Sequence, residues 1–247
     1  MFPVLFKIGP FSIYSYGVMV AVGFCVVTFL VYRRASIFSV DRDRMVDYLI
    51  LILISGIIGA RALYVMLNFE YYLNHPLEIF YLSRGGLVWY GGFTAAVIAS
   101  IWFVKKKGMK LSSVADLMAP YLALGQAFGR IGCYLNGCCF GIAAPGGFIF
   151  GERHPTQIYS AILLLIIFAV LLRLQERRRF PGEIFLAYCV LYSLKRFIVE
   201  FLRGDNPRIF LSMTISQIIS IVIFFAALYL FKIKADKWKR KASPGSK

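Results

Sequence analysis

The sequence predicts an all-α integral membrane protein, a polytopic bundle of seven transmembrane helices. Its 247 residues are 60% hydrophobic and only 16% charged, whereas a soluble domain is usually about 45–50% apolar and roughly 25% charged. The apolar residues fall into runs of about 20, the length that crosses a hydrocarbon core as a helix. The abundance of Leu, Ile, Val and Phe excludes a disordered chain, and 21 Gly and 9 Pro without a repeat period exclude a collagen-like or low-complexity one.

Seven runs reach or approach the length of a membrane span. None alternates apolar and polar residues at every second position, as the strands of a membrane barrel would, so helices are predicted throughout. The spans are expected near residues 14–32, 47–67, 86–104, 114–136, 157–174, 183–202 and 211–231.

The basic residues indicate how the bundle is oriented. Four lie in each of the connections between spans 1 and 2, 3 and 4, and 5 and 6, and seven lie in a basic tail at 232–247, so 19 of the 28 Lys and Arg residues share one side. The positive-inside rule makes that side cytoplasmic. The N-terminus is then outside and the C-terminus inside, as an odd number of spans requires, and one membrane domain is predicted over 1–247.

The net charge of +16 does not indicate nucleic-acid binding, because the basic residues form short clusters between apolar runs rather than a stripe on a polar domain. The membrane bilayer is the partner that this pattern implies. Three of the five cysteines, Cys133, Cys138 and Cys139, lie close together but lack the usual paired spacing of metal ligands. No metal site is predicted; buried small side chains or a disulfide on the oxidising outer face are the expected states.

Three arginines lie inside predicted spans at one depth. Arg61, Arg130 and Arg196 each precede the outer end of their span by six or seven residues. A charge at a helix centre in hydrocarbon costs roughly 2.5–3.5 kcal/mol, so each needs a partner or a function. Glu200 lies one turn after Arg196 and can pair with it, which alone would be a structural ion pair. Because the arginines outnumber this acid, we expect a shared cavity that opens outward and binds an anion, most naturally a lipid phosphate.

Two further outer features have both a structural and a functional interpretation. The stretch Gly-Gly-Leu-Val-Trp-Tyr-Gly-Gly at 85–92 opens span 3, and its glycines permit close backbone approach to a ligand or close packing of helices. His154 begins span 5, where it caps a helix or belongs to a site. The residues alone leave both interpretations open.

Short motifs occur in the outer parts of most predicted spans. They are Tyr16-Gly17, Gly59-Ala60-Arg61, Gly-Gly-x-x-x-x-Gly-Gly at 85–92, Gly129-Arg130-x-Gly132 with Asn136, Arg153-His154-Pro155-Thr156-Gln157-x-Tyr159, and Arg196-Phe197-x-x-Glu200-Phe201-x-Arg203-x-Asp205. In order and spacing, over nearly the whole chain, the sequence resembles the prolipoprotein diacylglyceryl transferase family of bacterial inner-membrane enzymes.

The resemblance implies transfer of the diacylglyceryl group of phosphatidylglycerol to the lipobox cysteine thiol of a preprolipoprotein signal peptide, with release of glycerol phosphate. This is the first step of lipoprotein maturation, on the periplasmic side of the membrane. No metal or organic cofactor is implied, since a neutralised phosphate is already a competent leaving group. Charge placement and resemblance together give the candidate catalytic residues Arg130, Arg196, Tyr90, His154 and Glu200, and the candidate substrate-binding residues Tyr16, Arg61, Gly91, Gly92, Gly132, Asn136, Gln157 and Arg203.

Four positions depart from the family's pattern. Tyr90 replaces a histidine often proposed as general base; Cys133 stands where the family has Asn, and Cys138 and Ser160 where it has Glu. Three sources of the acceptor thiolate stay open: Tyr90 with a pKa lowered by arginines, His154, or the thiol ionising by itself near the arginines. Two other functions also stay open, a paralogue that uses another acceptor and a non-catalytic lipid-binding membrane protein.

Overall fold

The structure is a computed structural model that describes residues 2–8, 11–81, 85–148, 151–210 and 212–242. The chain divides into two compact units, the first comprising Met1–Val31 and Ala115–Lys247, the second Tyr32–Val114. Helices dominate both. In chain order they are α1 (Ser15–Arg34), α2 (Arg42–Leu67), α3 (Phe69–Asn74), α4 (Trp89–Lys106), α5 (Leu111–Asn136), α6 (Thr156–Glu176), α7 (Glu183–Glu200) and α8 (Ile215–Ala242), with short 3₁₀ helices at Ala35–Phe38 and Pro76–Phe80.

Each of the seven predicted spans corresponds to one long helix in the described part of the chain, so the positions of the helices are confirmed. Among the residues that the structure describes, four segments are long and apolar enough to cross a membrane: Ser15–Phe38, Arg42–Leu67, Thr156–Glu176 and Ile215–Arg240. The number of seven spans, their orientation and the single domain stay predictions. Residues 232–242 of the predicted basic tail continue α8 as helix, and 243–247 lie outside the described residues.

Three antiparallel β-hairpins belong to the first unit, and hydropathy did not predict them. They are β1 (Val4–Ile8) with β2 (Phe11–Tyr14), β3 (Ala143–Phe148) with β4 (Gly151–Arg153), and β5 (Arg208–Phe210) with β6 (Met213–Thr214). The first precedes α1, the second joins α5 to α6 and the third joins α7 to α8. All three therefore occupy segments that the predicted orientation puts outside, and the all-α prediction is incomplete only there.

The core of the first unit lies among α5, α6 and α7. Three alanines one turn apart on α5 face it, Ala119, Ala123 and Ala127, and each is at most 1% exposed. Small side chains at this spacing form a smooth stripe that larger side chains approach closely. The larger ones are Leu164, Ile167 and Leu171 of α6 and Ile184 and Tyr188 of α7. Helices in lipid associate through van der Waals packing of this kind.

A single carboxylate ties α5 to the start of α7. Asp116 of α5 is fully buried and accepts hydrogen bonds from the backbone N–H groups of Gly182 (2.6 Å) and Phe185 (3.0 Å). Arg178 pairs with the same carboxylate at 3.2 Å. Because the first N–H groups of a helix have no partner within it, a carboxylate from a neighbouring helix satisfies them and fixes where α7 begins.

In the second unit, glycines bring α2 and α4 into direct contact. A Cβ on Gly59 would lie 2.6 Å from the carbonyl oxygen of Gly91, and a Cβ on Gly92 would lie 2.8 Å from that of Gly56. No side chain fits at such distances, so the two backbones touch. The packing interpretation of Gly91 and Gly92 is confirmed, while their role in substrate binding stays a prediction.

Replacing Gly91 by Ala should destabilise the protein by about 1–3 kcal/mol, the usual cost of overpacking a tight contact. The added methyl group would lie 2.5 Å from Leu63 Cβ, so α2 and α4 must separate. Thermal unfolding followed by tryptophan fluorescence measures the effect. Gly17→Ala is the matched control, because a Cβ at Gly17 meets nothing within 4 Å; equal unfolding midpoints for the two variants would contradict the packing interpretation.

Candidate functional site

A network of charged side chains in the first unit lies near the C-terminal ends of α5 and α7. Arg130 lies in the last two turns of α5, Arg196 and Glu200 are one turn apart on α7, and Arg203 follows in the turn after α7. The predicted pairing of Arg196 with Glu200 is confirmed, since Nη1 of the arginine lies 3.0 Å from Oε2 of the glutamate. The network thus includes an ion pair between residues four apart on one helix.

Glu200 is the centre of this network. It is 2% exposed, and its Oε1 accepts hydrogen bonds from Asn206 Nδ2 at 2.6 Å and from Thr214 Oγ1 at 2.9 Å. Arg203 Nε approaches its Oε2 to 3.8 Å. The carboxylate therefore joins the end of α7 to the segment before β5 and to β6. These contacts favour a positioning role; the catalytic role stays a prediction.

Arg196 and Arg203 each have a further acceptor. Nη2 of Arg196 donates to Ser216 Oγ at 2.8 Å, and Nε of Arg203 donates to Asp205 Oδ1 at 2.9 Å. Burial opposes ionisation of Asp205, but the hydrogen bond and the charge of Arg203 outweigh it and lower the pKa of this carboxyl. Protein groups therefore orient both guanidinium groups before any ligand arrives.

Arg130 differs from these two arginines, because its guanidinium makes no hydrogen bond or ion pair with any described residue. Arg130 is half-buried and lies within electrostatic range of Lys195, a buried lysine of α7 that Arg196 and Arg203 also influence. Among the described residues, three arginines and Lys195 share this region with the carboxylates of Glu200 and Asp205, so basic side chains outnumber carboxylates there. Such an excess at a partly buried site favours an anion.

Main-chain hydrogen bonds hold the α5–α6 connection against the turn after α7. Gly141 N–H donates to the carbonyl oxygen of His154 and Ile142 N–H to that of Leu202, both at 2.9 Å. Gly141 also forms a β-bridge with Arg203. A Cβ on Gly141 would lie 2.8 Å from His154 Cβ, so this approach requires glycine.

Two residues at the start of α6 fix the segment that carries Cys138 and Cys139. Gln157 Nε2 donates to the Cys138 carbonyl oxygen at 2.5 Å, and Thr156 Oγ1 donates to that of Cys139 at 2.9 Å. The Oε1 atom of Gln157 is buried and has no hydrogen-bond partner among the described residues. The predicted site residue Gln157 therefore shapes the chain here and keeps one acceptor unused.

The sulfur atoms of Cys133, Cys138 and Cys139 form a compact group, which we call the thiol cluster. They lie within 4.8 Å of one another, and all three thiols are free and half-buried. Hydrogen bonding with Cys133, then with Cys138, and the charges of Arg203 and Arg130 lower the pKa of the Cys139 thiol to about 5 against the opposing effect of burial. The neighbouring arginines therefore favour the thiolate form of Cys139.

Tyr16 and Gly132 lie where α1 meets α5. A Cβ on Gly132 would lie 3.2 Å from Tyr16 Cδ2, so the missing side chain lets the tyrosine ring pack on α5. Tyr16 is within electrostatic range of Arg130 and Cys133. Both predicted residues therefore border the charged network.

Asn136 and His154 are close in sequence to the thiol cluster. Asn136 ends α5 between Cys133 and Cys138, and His154 Nδ1 lies 3.4 Å from Tyr159 Oη. Nine predicted site residues belong to the first unit: Tyr16, Arg130, Gly132, Asn136, His154, Gln157, Arg196, Glu200 and Arg203. The other four belong to the second unit: Arg61, Tyr90, Gly91 and Gly92.

Arg61 uses all of its hydrogen-bond donors within the second unit. A guanidinium has five N–H groups, and the structure gives this one five main-chain acceptors. They are the carbonyl oxygens of Glu78, Ile79, Tyr81, Gly85 and Gly86, at 2.6, 2.8, 3.5, 2.9 and 3.1 Å. Arg61 is 8% exposed and fixes the course of the α3–α4 connection. Its predicted place in an anion-binding cavity stays a prediction.

Tyr90 lies in the first turn of α4, and its side chain is 67% exposed. Its ring meets that of Trp89 edge-on, with the centroids 5.3 Å apart. Neither feature identifies a base, so the catalytic role of Tyr90 stays a prediction.

Sequence reasoning missed the polar side chains that orient the network. Asn206, Thr214 and Ser216 lie in or beside the β5–β6 hairpin, which hydropathy did not reveal. Lys195 offered a signal, because it is a charge inside a predicted span next to Arg196. It is not among the candidate site residues predicted from the sequence.

Fold and site define a helical membrane protein with a cationic polar site at one end of its helices. The family model described as prolipoprotein diacylglyceryl transferase matches residues 3–233. A phosphatidylglycerol–prolipoprotein diacylglyceryl transferase of Clostridium tetani is 34% identical, covering 98% of this chain and 100% of its own length. One from Clostridium perfringens, named transferase 2, is 33% identical over 99% of both chains, and one from Shouchella clausii is 31% identical over 92% of this chain and 88% of its own.

The chain belongs to the prolipoprotein diacylglyceryl transferase family and is a transferase. The resemblance drawn from the motifs is therefore confirmed. The roles of the individual residues stay predictions.

Replacing Glu200 by Gln should lower the free energy of unfolding by about 3 kcal/mol, since removing one charge of a buried pair leaves the other uncompensated. The amide oxygen keeps the hydrogen bonds from Asn206 and Thr214 while the counter-charge is lost. An SDS titration of the reconstituted protein measures the change, with Glu152→Gln at an exposed position of β4 as control. A loss no larger than the control's would show that this charge does not hold the network.

Replacing Arg61 by Lys should loosen the α3–α4 connection while the helices remain. An ammonium has three donors at one point and cannot reach five dispersed carbonyls. We expect chymotrypsin to cut near Phe80 and Tyr81 at least about tenfold faster, because local opening becomes easier. Arg44→Lys is the control, since Arg44 is exposed and its guanidinium makes a single hydrogen bond of 3.4 Å. Unchanged cleavage would contradict the clamping role.

Proposed function

We propose that this protein transfers the diacylglyceryl group of phosphatidylglycerol to the lipobox cysteine thiol of a preprolipoprotein signal peptide and releases glycerol phosphate. The names of the relatives suggest the two substrates, and the family suggests the reaction class. The observation that carries the proposal is Arg130, whose guanidinium lacks a partner among the described residues and lies in a region of excess positive charge. A phosphodiester headgroup is the anion that a membrane offers to such a site.

Arg130 and Arg196 suit different parts of the proposed reaction. Arg130 has free donors, and a planar guanidinium binds two phosphate oxygens at once. Arg196 is already directed by Glu200 and Ser216, so it adds charge in a fixed position. Lys195 is buried on the same helix, within electrostatic range of Arg130 and Arg196.

In the proposed reaction the acceptor thiolate attacks the carbon of the diacylglyceryl group that carries the phosphate ester. A C–S bond forms as the C–O bond breaks, and the electron pair leaves with the phosphate oxygen as glycerol phosphate. Negative charge collects on the departing phosphate, where donors that are already oriented stabilise it without reorganising. Glu200 and Asp205 act in this scheme by holding Arg196 and Arg203.

Two side chains are candidates for taking the proton of the acceptor thiol. His154 of the first unit lies beside the α5–α6 connection and within 3.4 Å of Tyr159. Tyr90 of the second unit is exposed at the start of α4. Tyr16, Gly132, Asn136 and Gln157 would form the walls of the lipid or peptide site in the first unit.

We further infer seven membrane spans, with the N-terminus outside, the C-terminus inside and the site facing the periplasmic side of the inner membrane. Each predicted span corresponds to a long helix, and the three hairpins fall in segments predicted outside. The basic clusters fall in connections at the opposite ends of these helices, as the positive-inside rule requires.

A transfer assay on the purified protein tests the proposal. Nanodiscs containing phosphatidylglycerol receive a lipobox peptide, or the same peptide with its cysteine changed to serine, and mass spectrometry follows peptide and glycerol phosphate. We expect the cysteine peptide alone to gain a diacylglyceryl group. Arg130→Ala should lower the rate by about 100-fold or more, the usual effect of removing a donor to developing charge, with an unchanged unfolding midpoint. Arg208→Ala, at an exposed position of β5, is the matched control.

Three results would contradict the proposal or part of it in different ways. Release of glycerol phosphate without a change in peptide mass would mean that the acceptor is another molecule. Binding of phosphatidylglycerol without either product would favour the non-catalytic lipid-binding protein. An Arg130→Ala variant that unfolds rather than losing activity would remove Arg130 from the site.

A further inference from the structure

The thiol cluster of Cys133, Cys138 and Cys139 has no part in the chemistry described above. Its sulfur atoms lie within 4.8 Å of one another, and those of Cys138 and Cys139 are 3.3 Å apart. Three thiolates around one zinc ion, each at about 2.3 Å in a tetrahedral arrangement, have their sulfurs about 3.8 Å apart. Movements of about 1 Å bring the cluster to that geometry.

The backbone that carries the cluster is fixed by contacts that leave the sulfurs available. Gln157 and Thr156 bind the carbonyl oxygens of Cys138 and Cys139. The backbone N–H of Cys138 donates to the Cys133 carbonyl oxygen at 3.1 Å. The ligands are therefore already gathered, and binding an ion costs little further ordering of the chain.

The number of ligands and the surrounding charge both suit a zinc site with an open position. No fourth Cys, His, Asp or Glu joins the cluster among the described residues, and three protein ligands with one open position are typical of catalytic zinc. A zinc ion with three thiolates carries one net negative charge. Arg130 and Arg203, which both act electrostatically on Cys139, stabilise such a complex.

We propose that Cys133, Cys138 and Cys139 bind one zinc ion whose open fourth position takes the thiol of the acceptor peptide. The identity of that thiol rests on the proposed function. A thiol that coordinates zinc is deprotonated outright, so the ion performs the activation for which His154 and Tyr90 are the other candidates. The proposal replaces the expectation, drawn from spacing alone, that these cysteines bind no metal.

Thiol activation at this ion uses no oxidant or reductant. The three cysteines would hold the ion, which would lower the pKa of the incoming thiol so that its proton passes to solvent. The peptide thiolate would then attack the carbon of the diacylglyceryl group that carries the phosphate ester; the C–S bond forms, and the C–O electron pair goes to the phosphate. The thioether product is a weak ligand, so the fourth position would open again.

The test uses the full-length protein, purified without chelators and kept in phosphatidylcholine nanodiscs, where no phosphatidylglycerol is present to react. Elemental analysis gives the zinc content after loading with Zn²⁺ and removal of the excess. Replacement of zinc by Co²⁺ gives thiolate-to-cobalt charge-transfer absorption, which reports on the ligands directly. The lipobox peptide and its serine counterpart are then added to the cobalt form.

We expect about one zinc ion per chain, the content of a three-cysteine site. Cys138→Ser and Cys139→Ser should lose it, while Cys189→Ser, outside the cluster, should keep it. The charge-transfer absorption should change with the cysteine peptide and not with the serine peptide. In phosphatidylglycerol nanodiscs, removal of the metal from the wild-type protein should slow transfer by about 100-fold or more, the usual effect of losing activation of a reacting group.

Three results would overturn the inference. One is a wild-type protein that binds less than one zinc ion per chain and that, when analysed after denaturation, contains a disulfide between two cysteines of the thiol cluster. Another is bound cobalt whose absorption ignores the cysteine peptide. The third is undiminished transfer by metal-free protein, which would leave the proposed function intact. A cobalt form that responds to the cysteine peptide, in a protein that never modifies it, would instead sink the proposed function and keep the metal site.

Discussion

The polar end of the first unit depends on the buried carboxylate of Glu200. Positive charges gathered on neighbouring helices repel one another strongly away from bulk water. Glu200 neutralises part of this charge and at the same time holds Thr214 and Asn206 by hydrogen bonds, so one side chain sets both the electrostatics and the course of the chain after α7. Arg130 makes no ion pair with Glu200 or with any other described residue. The site thus combines arginines that are held by protein acceptors with one arginine that has no acceptor among the described residues.

The departures of this chain from the family's usual residues are chemically related. The pattern loses a histidine at Tyr90 and gains sulfur at Cys133 and Cys138. A general base and a thiolate-bound zinc ion are two ways to deliver the same sulfur nucleophile. If the thiol cluster holds zinc, the substitutions together exchange one mode of activation for another, and the arginines proposed to bind the phosphate need not change.

The sequence predicts the helices well because burial in lipid imposes long apolar runs, and it predicts the Arg196–Glu200 pair because helical spacing brings residues four apart together. It does not predict the hairpins, whose strands are too short to show a period, nor the contacts of Gln157 and Thr156, which depend on distant segments meeting. Arg61 shows another limit of the sequence. A buried guanidinium can donate to phosphate or to carbonyl oxygens, and only the structure shows that its acceptors here are carbonyl oxygens.

The hydrogen bonds of Arg61 to the α3–α4 connection have a consequence for sequence variation in that connection. Its five acceptors are all main-chain oxygens, which every amino acid provides. The path of the connection is therefore set largely by one side chain of α2. In the described part of the connection, Gly85 and Gly86 are constrained by their positive φ angles, and Glu78 accepts a hydrogen bond from Tyr71. Where a residue contributes only its carbonyl oxygen, a substitution leaves the Arg61 contact in place.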